Sequence, residues 1–419
     1  MWPMARCSSG AFRVTVDVLV VIGRRSGVVR RWAVPFVLVL QMVGVLVFAV
    51  TYDSLDFHIY WEGGHALTDG TRLYSEQLVA HWFTNTPFMA AVFVPVGAIP
   101  LGAARVIWQV ASVAALALAC VNTMRMAGSR VAVCAVVAMA LMLQPMWQSI
   151  FLGQVNMFLL AMVLIDVRRL SAGRFAGVGI GVAAAIKLTP AIFVVLLLVS
   201  GRIKAAMTAC ATFLVCSGFA HFVAPDASRL YWRHIFYDTS RVGVPYISNQ
   251  SPYGAAVRIL GDVEHVGSWY AFVPLVLGVV GLAVAAAWAR KDDWLGAAAV
   301  AGVTGLLVSP ISWAHHWVWV LPVLFVLARN GHRVAVGCGY ALFVLSPLWW
   351  TPHGGHPRQY GFHWGLTLVA NCYLVAGLCF LAYMAVRLRG AGAGDRDGRP
   401  GPATNAESDV SKRVAVTSF

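Results

Sequence analysis

About twelve apolar runs, separated by short clusters of arginine, constrain this chain more than any other feature of its sequence. They lie near 33–50, 103–123, 131–147, 155–167, 175–187, 190–200, 205–223, 269–289, 294–309, 317–328, 334–350 and 363–386. Of the 419 residues, 59% are apolar and 11% charged, and mean hydropathy is +0.73. A water-soluble fold cannot hide that much apolar surface, so the runs face lipid or one another. The expected fold is all-α, a polytopic integral membrane protein of about twelve transmembrane helices.

The formal net charge of +14 comes from 27 Arg and 4 Lys against 17 acids. In a soluble chain this would point to nucleic acid. Cytoplasmic loops of membrane proteins carry the same excess, so no nucleic-acid partner is expected. The eight cysteines show no CxxC or Cys/His spacing; seven sit in apolar runs as small hydrophobes and Cys7 lies near the N-terminus. Val18 to Ile22 is too short for the core of a cleavable leader, and its arginines follow rather than precede it.

The arginines also give orientation. Arg24, Arg25, Arg30 and Arg31 precede the first run, which places the N-terminus in the cytoplasm. Further basic clusters occur at Arg125/Arg130, Arg168/Arg169/Arg174, Arg202/Lys204, Arg290/Lys291, Arg329/Arg333 and Arg387/Arg389. An even number of crossings must separate neighbouring clusters if all are cytoplasmic, and twelve runs satisfy that demand. The expected organisation is a cytoplasmic segment 1–32, a transmembrane domain 33–386 and a disordered, Gly- and Pro-rich cytoplasmic tail 387–419. The runs 175–187 and 190–200 are short against the ~20 residues that cross hydrocarbon, so flanking residues or neighbouring helices must shield them. Two long loops, about 52–102 and 224–268, face the extracytoplasmic side. The first carries helical signals around Phe57–Leu67 and Ser75–Trp82, and Phe88–Ile99 reads as a juxtamembrane or re-entrant helix ended by Pro100.

Polar residues at membrane depth are costly unless they line an aqueous or substrate cavity. Five such clusters fall at the outer ends of spans: Asp53 to Trp61, Gly153 to Asn156, Lys187 to Pro190, Ser248 to Ser251 with Arg258, and Ser309 to Trp317. A weaker sixth runs from Trp349 to His356. Asp56 and its neighbour Asp53 are candidate carboxylates, with a helix cap as the ordinary alternative. Lys187, in an apolar run beside Thr189 and Pro190, either snorkels to the interface or meets an anion such as a phosphate. His315 and His316 are adjacent and point about 100° apart on a helix, so a shared metal ion is not expected. An aromatic interfacial belt or a phosphate- or proton-handling histidine remains for that segment. Asn156, Asn249 and Gln250 carry the amides that recognise sugar hydroxyls, or that join helices to one another.

Taken in order, these clusters resemble the bacterial polyprenol-phosphate-mannose-dependent α-(1→2)-mannosyltransferases, a family of the glycosyltransferase C superfamily. The matching residues are Asp56-Phe-x-x-Tyr60-Trp61, Gly70-x-x-Leu73-Tyr74, Thr86-Pro87, Gly153-Gln-x-Asn156, Lys187-x-x-Pro190, Asn249-Gln-Ser251 with Gly254 and Arg258, and Ser309-Pro310 with His315-His316. The sequence departs from the family at Phe83 and Thr84, where a tyrosine is common, which puts a role for that aromatic in doubt.

The resemblance implies a membrane enzyme with a lipid-linked β-mannosyl monophosphate donor and a glycolipid acceptor of the phosphatidylinositol mannoside or lipomannan type. The product is an α-mannoside, so configuration inverts in one displacement on the extracytoplasmic side. One carboxylate, Asp56, is then the general base. The phosphate is already a good leaving group and needs no second acid. Lys187, Arg258 and the His315/His316 pair are the implied phosphate contacts. Tyr60, Trp61, Gln154, Asn156, Asn249 and Gln250 are the implied sugar and acceptor contacts. No metal or other cofactor is demanded. The competing class is a twelve-helix secondary transporter, for which matching halves and helix breaks at the membrane midplane would be expected.

Overall fold

The computed structural model describes residues 27–354 and 360–393, and they are almost entirely helical. The tail expected over 387–419 and the segment 1–32 lie largely outside the described residues, as do Cys7 and His356. Each apolar run carries a helix or a broken helix. Among the described residues, five helices are long and apolar enough to cross a membrane: Trp32–Thr51, Leu101–Ala127, Ile203–Val223, Ser268–Arg290 and Cys372–Arg389. A sixth forms if Val133–Met142 and Gln144–Leu152, bent by 77°, count as one span. The bend follows from Leu143, which is extended, and from Pro145, which lacks the amide that would continue the ladder.

Two of the shorter helices lie inside the bundle. Trp294–Val308, 15 residues long, is buried along nearly its whole length and is built largely of Ala, Gly and Val. Val178–Ile186 spans only 9 residues. A Cβ on Gly181 would lie 2.5 Å from the carbonyl oxygen of Ala209, so only glycine permits this approach to Ile203–Val223. The helix is fixed at its start by the buried Asp166, whose carboxylate accepts from the backbone N–H groups of Gly177 (3.0 Å) and Ile180 (2.9 Å). Four orphan donors open any helix, and an acid from a neighbouring element satisfies two of them here.

Side-chain contacts sort the connections into two groups. One joins the arginine-bearing loops to one another. Arg168 donates to Asn122 (2.6 Å), Arg202 pairs with Asp292 (3.3 Å), Arg290 donates to the Val199 carbonyl (2.7 Å) and Arg329 pairs with Asp293 (2.6 Å). The other joins the polar clusters, as described below. The loop 52–102 contains the helices Leu55–Ala66 and Pro87–Gly97, which overlap the segments read as helical from sequence. Thr86 caps the second, accepting from Met89 N at 3.3 Å.

The helix expected around Ser75–Trp82 is not formed. Helical structure ends with the single turn Arg72–Ser75, and a two-stranded hairpin follows, pairing Gln77 with Trp82 and Leu78 with His81. Val79 occupies the left-handed region (φ 61°) so that the chain can reverse in two residues. Leu78 is buried, and Trp82 lies under the Arg241 guanidinium, 4.5 Å from its ring centroid. Tertiary contacts of this kind outweigh a weak local helical preference.

The fold makes a prediction about sidedness. In intact cells, a membrane-impermeant thiol reagent should label single cysteines introduced at Asp69 and Asp238, and reach those at Ser171 and Asp292 only after permeabilisation. Finding positions 69 and 171 on one side would overturn the membrane map.

Candidate active site

Two helices begin at the point where Asp56 and Gln154 meet. The helix Gln144–Leu152 ends on Gly153 in the left-handed conformation (φ 72°), with the Gln154 amide donating back to the Ser149 carbonyl at 2.7 Å. A Cβ on Gly153 would overlap that of Phe57, so glycine is required for helix Leu55–Ala66 to press against this turn. The Trp108 indole N–H closes the contact by donating to the Gly153 carbonyl (2.8 Å).

That contact lets Gln154 bridge two residues of the facing helix. Its Nε2 donates to Asp56 Oδ2 at 2.8 Å, while its Oε1 accepts from the Tyr60 hydroxyl at 2.7 Å. The tyrosine can only donate to that oxygen, which fixes the amide orientation and aims an N–H at the carboxylate. Asp56 is half-buried. Loss of hydration raises its pKa above the ordinary carboxylate value, an effect opposed by the Gln154 hydrogen bond and by the fields of Lys187 and His81. Asp53 is occupied differently: its carboxylate pairs with Arg105 (2.9 Å) and His58 (2.8 Å) at the surface, tying two helices together.

Lys187 stands where helix Val178–Ile186 stops, in an extended conformation (φ −146°, ψ 130°). The Thr86 hydroxyl lies against the carbonyls of Ala185 and Ile186 and donates to them, the latter at 3.1 Å. The ammonium sits 2.9 Å from His316 Nε2. A cavity opens beside this pair, lined on its polar side by Asn156, Lys187, Thr189, Ser312 and His316. His316 faces the cavity, while His315 packs behind it with rings 4.7 Å apart at 87°. The His315 carbonyl accepts from Asn156 Nδ2 (2.9 Å) and from the Ser149 hydroxyl (3.1 Å); both its ring nitrogens are buried without a hydrogen-bond partner among the described residues.

Other residues singled out from sequence are engaged elsewhere. Asn249 donates to the carbonyls of Val244 (3.0 Å) and Pro310 (3.2 Å) and accepts from the Ser312 amide (2.9 Å). Gln250 donates to Ile247 (2.8 Å) and Ala370 (2.7 Å) carbonyls and accepts from Tyr373 N (3.2 Å). Both are fully buried. Arg258, also buried, directs its terminal nitrogens to the carbonyls of Pro245, Tyr246 and Asn249 and to the Asn371 side chain. Together they clip the loop 244–251 to the segment 309–316 and to the helix ends near 370. Trp61 is half-buried and its indole donates to the Ile99 carbonyl (3.0 Å). Phe83, at the position where sequence departs from the resembling family, packs edge-on against Tyr60 and Tyr74.

Two residues near the site had no assigned part in the sequence reading. His81, exposed on the hairpin, acts electrostatically on Asp56. Thr86 belonged to a motif without a stated role. A histidine in a polar loop carries no signal of its own, because its proximity to Asp56 depends on the hairpin. Among the described residues no three His, Cys, Asp or Glu side chains gather as metal ligands.

Comparison with known proteins places this geometry in a family. The glycosyltransferase family 87 profile matches residues 83–310. The polyprenol-phosphate-mannose-dependent alpha-(1-2)-phosphatidylinositol pentamannoside mannosyltransferase of Mycobacterium tuberculosis is 33% identical, covering 80% of this chain and 82% of its own length. That of Mycolicibacterium smegmatis is 31% identical, with 81% and 87% covered. A polyprenol-phosphate-mannose-dependent alpha-(1-2)-phosphatidylinositol mannoside mannosyltransferase of M. tuberculosis is 29% identical, with 87% and 94% covered. No solved structure matches the chain.

Gly153 offers a test of how the site is assembled. Gly153→Ala should cost about 1–2 kcal/mol for the left-handed backbone alone, and more because Phe57 must move. Gly128 shares the left-handed conformation (φ 65°) but has nothing within 4 Å of a Cβ, so Gly128→Ala isolates the backbone cost. Thermal unfolding in detergent should show the larger loss at position 153. Equal losses would mean that the Phe57 contact is not tight.

Proposed function

The chain belongs to glycosyltransferase family 87, and we propose that it transfers mannose from polyprenol phosphate mannose to a phosphatidylinositol mannoside or lipomannan-type glycolipid, forming an α-(1→2) linkage. It is a multi-pass membrane glycosyltransferase, which sets the transporter alternative aside. Transfer takes place on the extracytoplasmic side, where the loops 52–102 and 224–268 lie, within a transmembrane domain of residues 33–386. The observation that carries the reading is that Asp56, a potential base, is held by Gln154, two residues before Asn156, which lines the cavity beside Lys187, a potential phosphate contact.

In this mechanism the acceptor 2-hydroxyl approaches the donor anomeric carbon from the face opposite the phosphate. Asp56 takes its proton through the oxygen not held by Gln154. The new C1–O bond forms as the bond to the phosphate oxygen breaks, and the electron pair leaves with polyprenol phosphate. Configuration inverts from β to α in that single displacement. Lys187 meets the growing charge on the phosphate in a site of low dielectric constant. Gln154 and Tyr60 keep the carboxylate oriented, and Asn156 and Ser312 line the cavity beside Lys187. Asn249, Gln250 and Arg258 contribute by holding the segment that carries His316.

Asp56→Asn preserves size and much of the hydrogen bonding but removes the base. With equal amounts of purified protein, radiolabelled mannose transfer into glycolipid should fall by about 10²–10⁴-fold. Donor binding should persist, and Asp53→Asn should retain most of the activity. Near-normal turnover by Asp56→Asn would sink the assignment, and a loss confined to Asp53→Asn would move it to that residue.

A further inference from the structure

A lysine that grips a phosphate must be held in place, because its four-carbon stem is flexible and its charge alone gives no direction. Two contacts restrict Lys187. At its backbone, the helix Val178–Ile186 ends with carbonyls that no following turn can satisfy. The buried Thr86 reaches across from another element and donates to two of them, those of Ala185 and Ile186. The residue immediately after those carbonyls is Lys187. At its head, the ammonium lies 2.9 Å from His316 Nε2.

The chemistry of that second contact fixes the state of the histidine. An ammonium has three donors and no acceptor, so Nε2 must present its lone pair. With that lone pair engaged by the ammonium, the ring is neutral and carries its proton on Nδ1. A neutral imidazole occupied in this way is not a cationic phosphate ligand. It is an acceptor that takes one ammonium N–H and leaves the other two for the cavity.

We propose that Thr86 and His316 are positioning residues that act through Lys187, Thr86 by fixing its backbone and His316 by aiming its ammonium at the donor phosphate. This rests on the reading of Lys187 as the phosphate contact, and it replaces a direct phosphate contact by His316 with an indirect one. Misplacing a positioned group by about 1 Å can cost up to about 10²-fold in rate, so the effect is measurable in steady-state kinetics.

The test uses the purified full chain with polyprenol phosphate mannose as the varied substrate and saturating phosphatidylinositol mannoside. Thr86→Val and His316→Leu should each raise the donor KM by about tenfold and leave the acceptor KM unmoved. Thr86→Ser, which keeps the hydroxyl, should recover most of the loss seen with Thr86→Val. His316→Gln, which offers an amide oxygen, should recover most of the loss seen with His316→Leu. In a Lys187→Ala background, Thr86→Val and His316→Leu should add little further loss, because the residue they act through is gone. Full additivity in that background would overturn the proposal, as would a His316→Gln protein no better than His316→Leu. If Thr86→Val does not fold, the His316 series decides alone. Normal donor kinetics in Lys187→Ala would instead remove the phosphate reading itself, and this proposal with it.

Discussion

A lysine ammonium at the end of a short helix, within an apolar bundle, is the constraint on which this structure turns. Such a charge is expensive at membrane depth unless groups of matching chemistry surround it. Three separate parts of the chain supply them: Asp56 through its field, His316 through its lone pair, and Thr86 through the carbonyls just before the lysine. Asp56 and Thr86 belong to the loop 52–102 and His316 to the segment 309–316, so folding around Lys187 assembles both with the helix end at 186. A site that costs this much to bury is also preorganised. Its charges already stand where a phosphate and a hydroxyl would develop theirs.

The rest of the fold serves that end of the molecule. Inner helices can be short because neighbours rather than lipid cover them, and glycine and alanine let their backbones approach closely. Buried amides and a buried guanidinium satisfy backbone carbonyls where chain segments cross without regular structure. On the opposite face, arginines pair with Asp292 and Asp293 and hold the connecting loops together. Salt bridges thus stitch the arginine-bearing connections, while a polar network with a cavity in it joins the segments around Lys187.

Much of this was legible in the sequence, for identifiable reasons. Apolar runs and arginine clusters reveal helices and loops because the bilayer permits little else. Asp56, Gln154, Asn156 and Lys187 stood out because polar residues are rare in such surroundings; Asn156 and Lys187 line one cavity, and Gln154 joins Asp56 to the turn just before Asn156. What the residues could not reveal is whether a polar group is free or already engaged. Asn249, Gln250 and Arg258 have the right chemistry for a ligand, yet they are engaged with carbonyls of distant segments. The pair His315-His316 was ambiguous for the same reason, since only the irregular turn 314–319 decides which ring faces the cavity. The hairpin at 77–82 was missed because Val79 and Ala80 form a turn without the usual glycine or asparagine. A run of apolar residues looks alike in the sequence whether lipid or protein covers it.

The central claim is that Asp56 must be ionised to accept a proton, and its pH dependence tests this most directly. Burial raises its pKa, so the carboxylate is lost as pH falls through a value above the ordinary carboxylate range. Mannosyl transfer by the unmodified protein should therefore show an acid limb with its midpoint above the ordinary carboxylate range. The slow residual transfer of Asp56→Asn should lack that limb. An acid limb of the same position in both proteins would assign the titration to another group and contradict the account.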